Sequence, residues 1–224
     1  MMRVRTACCV HRGRRWLAAI AALVLVSCSV LQPAVPPSSP DAGRALYEAH
    51  AARVLNLSAW NLTGRVSVSS EQESWQATLH WRQSLALFDV LLQGPLGQGS
   101  MRLRSAQGYV VLESSDGQRL TDVSAAQLIR QRVGWSLPVE ELRYWVRGVA
   151  APDSEAIMEW DAVGQLLRLQ QNGWDVRYKS YVAANGVMMP AKLSLAQAPW
   201  QVKMVVDVWG DGTEPVPGAA DAAP

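Results

Sequence analysis

Hydrophobic and polar side chains alternate with a period of two along most of the chain from residue 59 onward. In the first such stretch Leu62, Val66 and Val68 alternate with polar residues, and the same spacing returns in later stretches up to residues 200–209. This spacing is typical of strands that bury only one face. Turns rich in glycine, asparagine and aspartate separate the stretches. The pattern predicts about eleven antiparallel strands.

Three segments have helical spacing instead. Residues 42–57 repeat apolar side chains at helical intervals, which predicts an amphipathic helix before the first strand. Residues 124–148 interrupt the strands and predict two short helices. Ser124 is a suitable N-cap for the first of them, and Pro138 suits the first turn of the second.

A single sheet of about eleven strands must curl. A curved sheet that does not close leaves an apolar concave face, and the two inserted helices must cover it. We therefore predict a mainly β (α+β) fold. Its architecture is an incomplete, strongly curved antiparallel barrel with a helical lid over an apolar cavity. A cavity of this kind suits a lipid.

Tryptophan is unusually frequent, with ten residues beside a single phenylalanine. Tryptophan side chains on apolar faces either pack the core or line a wide, adaptable apolar cavity, and the sequence leaves both interpretations open. The candidates for the cavity wall lie on the apolar faces of predicted strands and helices. They are Trp60, Trp75, Trp81, Phe88, Val90, Leu142, Trp145 and Trp174.

The N-terminal segment has the features of an export signal. Residues 1–27 hold five arginines and no acidic residue, and the apolar run Trp16–Val26 is too short to span a bilayer. Its end, Leu25-Val26-Ser27-Cys28, resembles the bacterial lipobox, which implies cleavage before an acylated Cys28. Ser29 follows where aspartate commonly retains lipoproteins in the inner membrane, so we expect export to the outer membrane. The alternatives are an ordinary signal peptide or a short anchor helix.

The remaining chain divides by composition. Residues 28–41 are rich in proline and serine and predict an extended tether after the lipidated Cys28. Residues 42–209 form the predicted β domain, and residues 210–224 predict a disordered C-terminal tail. Residues 28–209 hold equal numbers of basic and acidic side chains. A neutral body argues against nucleic-acid binding, which needs a basic surface.

Few side chains are available for catalysis or metal binding. With Cys28 acylated and the signal removed, no free cysteine remains, and the only histidines are His50 and His80. The sequence contains no G-x-S-x-G motif, no phosphate-binding glycine loop and no recognisable metal-ligand spacing. We therefore expect a protein that is not an enzyme, with no catalytic residue, no metal and no cofactor.

An ordered set of segments carries a resemblance to a known family. After the lipobox with Ser29 come WNLTGRVSV, GPLGQGSMRL, LRYWVRG, LQQNGWDVRYKSY, MPAKLSL and VKMVVDVW, which together cover about residues 44–209. In order and spacing the set resembles the LolB family, the outer-membrane lipoprotein receptors and insertases of Gram-negative bacteria. Two departures are the tail after Trp209 and a shortened loop at residues 188–190.

The resemblance implies an incomplete eleven-stranded barrel with a helical lid, like that of the soluble periplasmic carrier LolA. It implies that the chain accepts the acyl chains of client lipoproteins from LolA and inserts these lipoproteins into the inner leaflet of the outer membrane. No nucleotide or metal takes part at this step in the family. We expect a monomer that is lipid-anchored at the periplasmic side of the outer membrane.

Leu96 lies in the turn Gly94-Pro95-Leu96-Gly97. From the sequence alone, a buried and an exposed leucine are equally compatible with this turn. The resemblance favours exposure, because this turn coincides with a loop that LolB proteins project with an apolar residue at its tip. It implies that Leu96 inserts at the membrane surface.

Two other functions predict different features. A structural lipoprotein that scaffolds an outer-membrane assembly complex would have an apolar exterior patch and no cavity. A lipid-processing enzyme would place a nucleophile and a base at the cavity mouth, and the sequence offers no such pair.

Overall fold

One antiparallel sheet of eleven strands dominates the computed structural model, in which residues 40–106 and 108–217 are described. The strands are β1 (Ala59–Ser69), β2 (Ser74–Ser84), β3 (Leu87–Gln93), β4 (Ser100–Ala106), β5 (Tyr109–Ser114), β6 (Arg119–Asp122), β7 (Ala156–Trp160), β8 (Leu166–Gln171), β9 (Trp174–Ala184), β10 (Val187–Gln197) and β11 (Trp200–Gly210). Their order in the sheet is β6-β5-β4-β3-β2-β1-β11-β10-β9-β8-β7. Strands β6 and β7 remain as edges, so the barrel is incomplete, and the predicted fold is confirmed.

The three helices lie where the sequence predicts helices. They are α1 (Pro40–Leu55), α2 (Ala125–Val133) and α3 (Val139–Trp145). The Ser124 hydroxyl accepts a hydrogen bond from the backbone N–H of Gln127, which confirms the predicted cap of α2. Helix α1 packs against β7, where the rings of Tyr47 and Trp160 stack with their centroids 5.8 Å apart.

The first and last strands pair at the centre of the sheet. Strand β1 runs antiparallel to both β2 and β11, with an irregularity in its pairing to β11 between Thr63 and Gly64. A Cβ atom at Gly64 would overlap the carbonyl oxygen of Val205. The glycine in the segment WNLTGRVSV therefore allows the two central strands to approach.

Strand β10 begins earlier than the sequence indicates. From the sequence we expect a shortened loop at residues 188–190, whereas the observed strand already includes these residues. Met189 is fully buried, and the register of β10 against β9 shifts after Pro190. Burial of Met189 holds this segment in the sheet, and the irregularity accommodates a proline that cannot donate a ladder hydrogen bond.

The segment after β11 is ordered as far as the structure describes it. The backbone N–H of Gly212 donates to the side-chain oxygen of Asn61 at 2.9 Å, and Val216 is only 3% exposed. Residues 211–217 therefore pack on the domain, although the sequence predicted disorder from residue 210, because an apolar Val216 finds a place to be buried. The rest of that tail, residues 218–224, lies outside the described residues.

The predicted signal peptide, Cys28 and Ser29 also lie outside the described residues. The predicted tether extends to residue 41, whereas α1 already begins at Pro40. Among the described helices none is both long and apolar enough to cross a bilayer.

Candidate functional site: an apolar cavity beneath the helical lid

An apolar cavity of about 70 Å³ lies between the sheet and the inserted helices. The sheet contributes inward-facing residues of β1 to β4 and β11, which are Val66, Val68, Trp75, Leu79, Trp81, Val90, Leu92, Met101, Leu103, Val202 and Met204. The alternation of each strand places these side chains on one face. The lining side chains are aliphatic residues, methionine and tryptophan, and their exposed surface is almost entirely apolar, so the cavity favours hydrocarbon.

The lid over this cavity consists of α2, α3 and the loop between them. Its lining residues are Ile129, Val133, Trp135, Leu137, Val139 and Leu142. The loop reaches the rim of the sheet at the start of β11, where the rings of Trp135 and Trp200 stack with their centroids 5.0 Å apart. At the end of α2 the Arg132 guanidinium pairs with the Asp116 carboxylate at 3.0 Å.

The cavity is small for the kind of ligand its walls favour. Protein pockets that enclose drug-sized ligands measure about 300–1,000 Å³, several times the 70 Å³ present in this structure. Entry of a long hydrocarbon chain therefore requires displacement of the lid. At the rim the lid is held by the Trp135–Trp200 stack and by Arg132, which contacts Asp116 and Ser114. Helix α2 itself is held by an apolar cluster in which its residues Ala125, Leu128 and Ile129 are buried.

One end of the lid is fixed by a buried hydrogen-bond network around Gln171 on β8. The indole N–H of Trp145 donates to the Gln171 side-chain oxygen at 2.8 Å, and the backbone N–H of Ala151 donates to the same oxygen at 2.9 Å. The Gln171 amide nitrogen donates in turn to the carbonyl oxygens of Ala151 and Ser154. This network ties the C-terminal end of α3 to the sheet.

Arg147 reinforces the same end. Its guanidinium donates to the carbonyl oxygen of Val54 at 3.1 Å and lies 5.5 Å from the centre of the Trp60 ring. Burial lowers the pKa of Arg147 to about 10, and the nearby charge of Arg143 acts in the same direction. Arg147 remains a cation at neutral pH, so it joins α1 and the end of α3 through carbonyl and ring contacts.

The eight cavity candidates divide into two groups. Trp75, Trp81, Val90 and Leu142 lie in the cavity wall. The other four lie in the packed interior: Trp60 against Trp81 and Trp209, Phe88 against the cluster beneath α2, and Trp145 against Trp174.

Several cavity residues escaped the sequence analysis. Val202 and Met204 follow the alternation of the last strand, so that alternation already marked their face. Trp135 and Leu137 lie in the loop between the two lid helices, where no periodicity applies. The only sequence feature that could have indicated their burial is the presence of apolar residues in such a short loop. Gln171 gave no signal, because its role depends on partners from two distant segments.

Leu96 lies on a 3-10 turn between β3 and β4 (Pro95–Gly97) and is 97% exposed. Its backbone has a φ of 55°, in the left-handed region that favours glycine. The side chain thus extends into solvent from a backbone conformation that disfavours it.

The two histidines lie on different elements, His50 on α1 and His80 on β2. Burial and the charge of Arg53 lower the pKa of His50. The His80 ring is within hydrogen-bond distance of the Thr63 hydroxyl. In the part of the chain that the structure describes, no group of three His, Cys, Asp or Glu side chains could hold a metal ion.

Comparison with known proteins identifies a family for most of the described chain. Residues 58–209 match the family described as outer membrane lipoprotein LolB. The chain is 36% identical over 193 residues to the outer-membrane lipoprotein LolB of Stutzerimonas stutzeri (strain A1501), covering 86% of this chain and 93% of that protein. It is 38% identical over 163 residues to the protein of the same name from Pseudomonas putida (strain F1), covering 73% and 80%.

A solved structure agrees at the level of the fold. A LolA superfamily protein from Nitrosomonas europaea superposes with a TM-score of 0.50 over 75% of this chain and 92% of its own, at 8% sequence identity. The two proteins therefore share a similar overall fold.

Proposed function

Because the chain belongs to the LolB family of outer-membrane lipoproteins, we propose that it takes client lipoproteins from the periplasmic carrier LolA and inserts them into the inner leaflet of the outer membrane. It is an outer-membrane lipoprotein receptor and not an enzyme. The observation that carries the proposed transfer is the apolar cavity beneath the lid. A scaffolding lipoprotein needs no such cavity.

Hydrocarbon transfer explains why the cavity has almost no polar lining. Each CH₂ group that leaves water contributes about 0.8 kcal/mol, so release of three acyl chains into water would cost tens of kcal/mol. Acyl chains must therefore move directly from the carrier's cavity to this one, with each apolar contact replaced as it is lost. The bilayer then provides the more favourable final environment.

We infer that the lid opens at the loop between α2 and α3, because α2 itself is held by its buried residues Ala125, Leu128 and Ile129. An exposed ion pair such as Arg132–Asp116 contributes about 0–1 kcal/mol, and an aromatic pair such as Trp135–Trp200 contributes about 0.5–1.5 kcal/mol beyond its buried area. The α3 end is held by the buried Gln171 network. Opening therefore separates the weaker contacts at the rim while α3 stays in place.

The proposal is tested by comparing two adjacent leucines on β3. Leu92 lines the cavity, whereas Leu91 faces the opposite side of the sheet. Burying an unpaired amide costs about 1–3 kcal/mol. Leu92→Gln is therefore expected to weaken binding of the neutral dye N-phenylnaphthylamine about tenfold, measured by fluorescence titration of the mature chain carrying Cys28→Ala.

Leu91→Gln is the matched control and is expected to bind the dye like the parent. A purified triacylated lipoprotein is expected to displace the dye stoichiometrically from the parent and from the control. Absence of dye binding, or dye that lipoprotein does not displace, would contradict the proposed function. Equal binding by both variants would remove the cavity as the acyl site.

We propose that Cys28 carries the lipid anchor and that Ser29 directs sorting to the outer membrane. Ser29→Asp is expected to shift the protein from the outer to the inner membrane, because aspartate at this position commonly marks retention. Membrane fractionation on a density gradient measures the shift. An unchanged outer-membrane location would refute this role of Ser29.

We propose that Leu96 directs the cavity mouth towards the bilayer. An exposed leucine that enters a membrane surface gains at most about 1.5–3 kcal/mol. This is too little to anchor the protein but enough to bias its orientation during delivery.

A further inference from the structure

A second groove adjoins the apolar cavity and has a different chemical character. It holds about 650 Å³ and is open to solvent. Four residues line both spaces, and these are Trp75, Leu92, Met101 and Val133. The turn that bears Leu96 forms part of its wall through Gly94 and Pro95. The groove therefore lies between the cavity and the proposed membrane-contacting turn.

Neutral polar side chains and one cation surround this groove. They are Ser74, Gln76, Gln98, Ser100, Ser114, Ser115 and Arg132. No acidic residue is among the lining residues of the groove. Its hydroxyl and amide groups can donate as well as accept hydrogen bonds, and its single guanidinium is paired with Asp116 outside the lining.

Much of this donor capacity is unused within the described part of the protein. Arg132 donates from Nε to the Ser114 hydroxyl at 3.2 Å and from Nη2 to Asp116 at 3.0 Å. Its Nη1 makes no hydrogen bond to the described residues, and neither do the side-chain amides of Gln76 and Gln98. An arginine has five N–H donors, so Arg132 has donors left for further acceptors, and opening of the lid also frees the donor that Asp116 engages.

The ligand of the proposed function has matching acceptors. An N-acyl, S-diacylglyceryl cysteine carries two ester carbonyls and one amide carbonyl at the point where its three acyl chains meet, and it carries no charge there. When the chains occupy the apolar cavity, this junction must lie at the cavity mouth. Carbonyl groups that leave water need donors, because an unpaired acceptor carries a desolvation cost.

We propose that this groove is a headgroup site that binds the acylated glycerylcysteine of a client lipoprotein, with Arg132 and Ser114 donating to its carbonyl groups. The inference rests on the proposed function, because it assumes that acyl chains fill the cavity. The groove thereby distinguishes the acylated N-terminus of a lipoprotein from a hydrocarbon without carbonyl groups. It also holds this N-terminus beside the Leu96 turn.

Competition for a neutral dye tests the site. The mature chain carrying Cys28→Ala is loaded with N-phenylnaphthylamine, which lacks a carbonyl group, and a synthetic tripalmitoyl-glycerylcysteine peptide displaces it. Arg132→Met is expected to weaken the peptide about tenfold, because hydrogen bonds from a charged donor are lost. Dye affinity is expected to stay within about twofold of the parent, since the apolar cavity is intact.

Two control variants separate headgroup binding from lid closure. Arg130→Met removes an exposed arginine of the same helix that does not line the groove, and Asp116→Asn removes the ion pair but keeps the guanidinium. Both are expected to bind the peptide like the parent. An Asp116→Asn variant that reproduces the Arg132→Met loss would overturn the inference in favour of a lid contact.

Other outcomes are equally decisive. Parent-like peptide binding by Arg132→Met, or equal losses of dye and peptide, would overturn the headgroup site while leaving the proposed function intact. A phosphatidylethanolamine that displaces the dye more tightly than the peptide would overturn the assignment to lipoproteins. Failure of the parent to bind dye or peptide would instead count against the proposed function itself.

Discussion

Replacing Leu96 by glutamate is expected to leave folding and lipoprotein uptake intact while delivery into membranes falls at least about tenfold, since an exposed leucine contributes about 1.5–3 kcal/mol on entering lipid. The side chain is 97% exposed. Surface substitutions of this kind usually change stability by less than about 0.5 kcal/mol. The loss should therefore be confined to the last step, in which the cavity mouth must meet the bilayer.

The backbone at Leu96 suggests a second substitution, to glycine. An L-residue in the left-handed region costs roughly 1–2 kcal/mol relative to a right-handed conformation, and glycine avoids that cost. Leu96 has this backbone conformation and gains no burial that would offset the cost. Leu96→Gly is accordingly expected to raise the free energy of unfolding by up to about 1 kcal/mol while it also loses delivery.

Leu85 provides the matched control for the charge substitution. It is 74% exposed, has a φ of 51° and lies in the turn between β2 and β3. Leu85→Glu is expected to deliver lipoprotein into phosphatidylethanolamine–phosphatidylglycerol vesicles at the parent rate, with uptake from loaded LolA followed in parallel. Parent-rate delivery by Leu96→Glu, or an equal loss in both variants, would exclude a specific role for the Leu96 turn.

Replacing Gln171 by leucine is expected to lower the free energy of unfolding by about 3–5 kcal/mol, because each buried polar group left without a partner costs about 1–3 kcal/mol. The change would leave the Trp145 indole N–H and the Ala151 N–H without their shared acceptor, and the Ala151 and Ser154 carbonyls without their donor. Loosening of α3 should then accompany the loss of stability.

The neighbouring Gln170 is the control for this substitution. It lies on the same strand, is half-buried on the other face, and makes no side-chain hydrogen bond to the described residues. Gln170→Leu is expected to change stability by less than about 0.5 kcal/mol. Urea unfolding followed by tryptophan fluorescence measures both variants. Similar stability in the two would show that the Gln171 network contributes little.

The local pattern of apolar and polar residues was sufficient to predict most of the strands and helices. The alternation along β1 and β11 marks which face is buried, since successive side chains of a strand point to opposite sides. Ser124 marked the start of α2, because its hydroxyl satisfies an N–H that the first turn leaves free. These features depend on residues close in the chain, so the sequence alone was sufficient to predict an open, lidded barrel.

The burial of Asp89 could not be predicted from the local sequence pattern. Alternation placed it on the outer face of β3, yet it is buried beneath Arg82 and Arg102, each 2.6 Å from its carboxylate. Burial alone would raise the pKa of Asp89, but hydrogen bonds and charge from Arg102 and Arg82 outweigh burial and lower it. The neighbouring strands, not the local sequence, supply both the cover and the charge.

Tertiary packing also determines which residues line the cavity. Trp75 and Trp145 both lie on apolar faces, but Trp75 lines the cavity while Trp145 packs on Trp174 and donates to Gln171. Whether an apolar side chain lines the cavity or packs in the core depends on the distance between the lid and the curved sheet. Residues about 60 positions apart in the chain set that distance. The sequence by itself determined that an apolar concave face exists, and only the tertiary packing decided which residues line it.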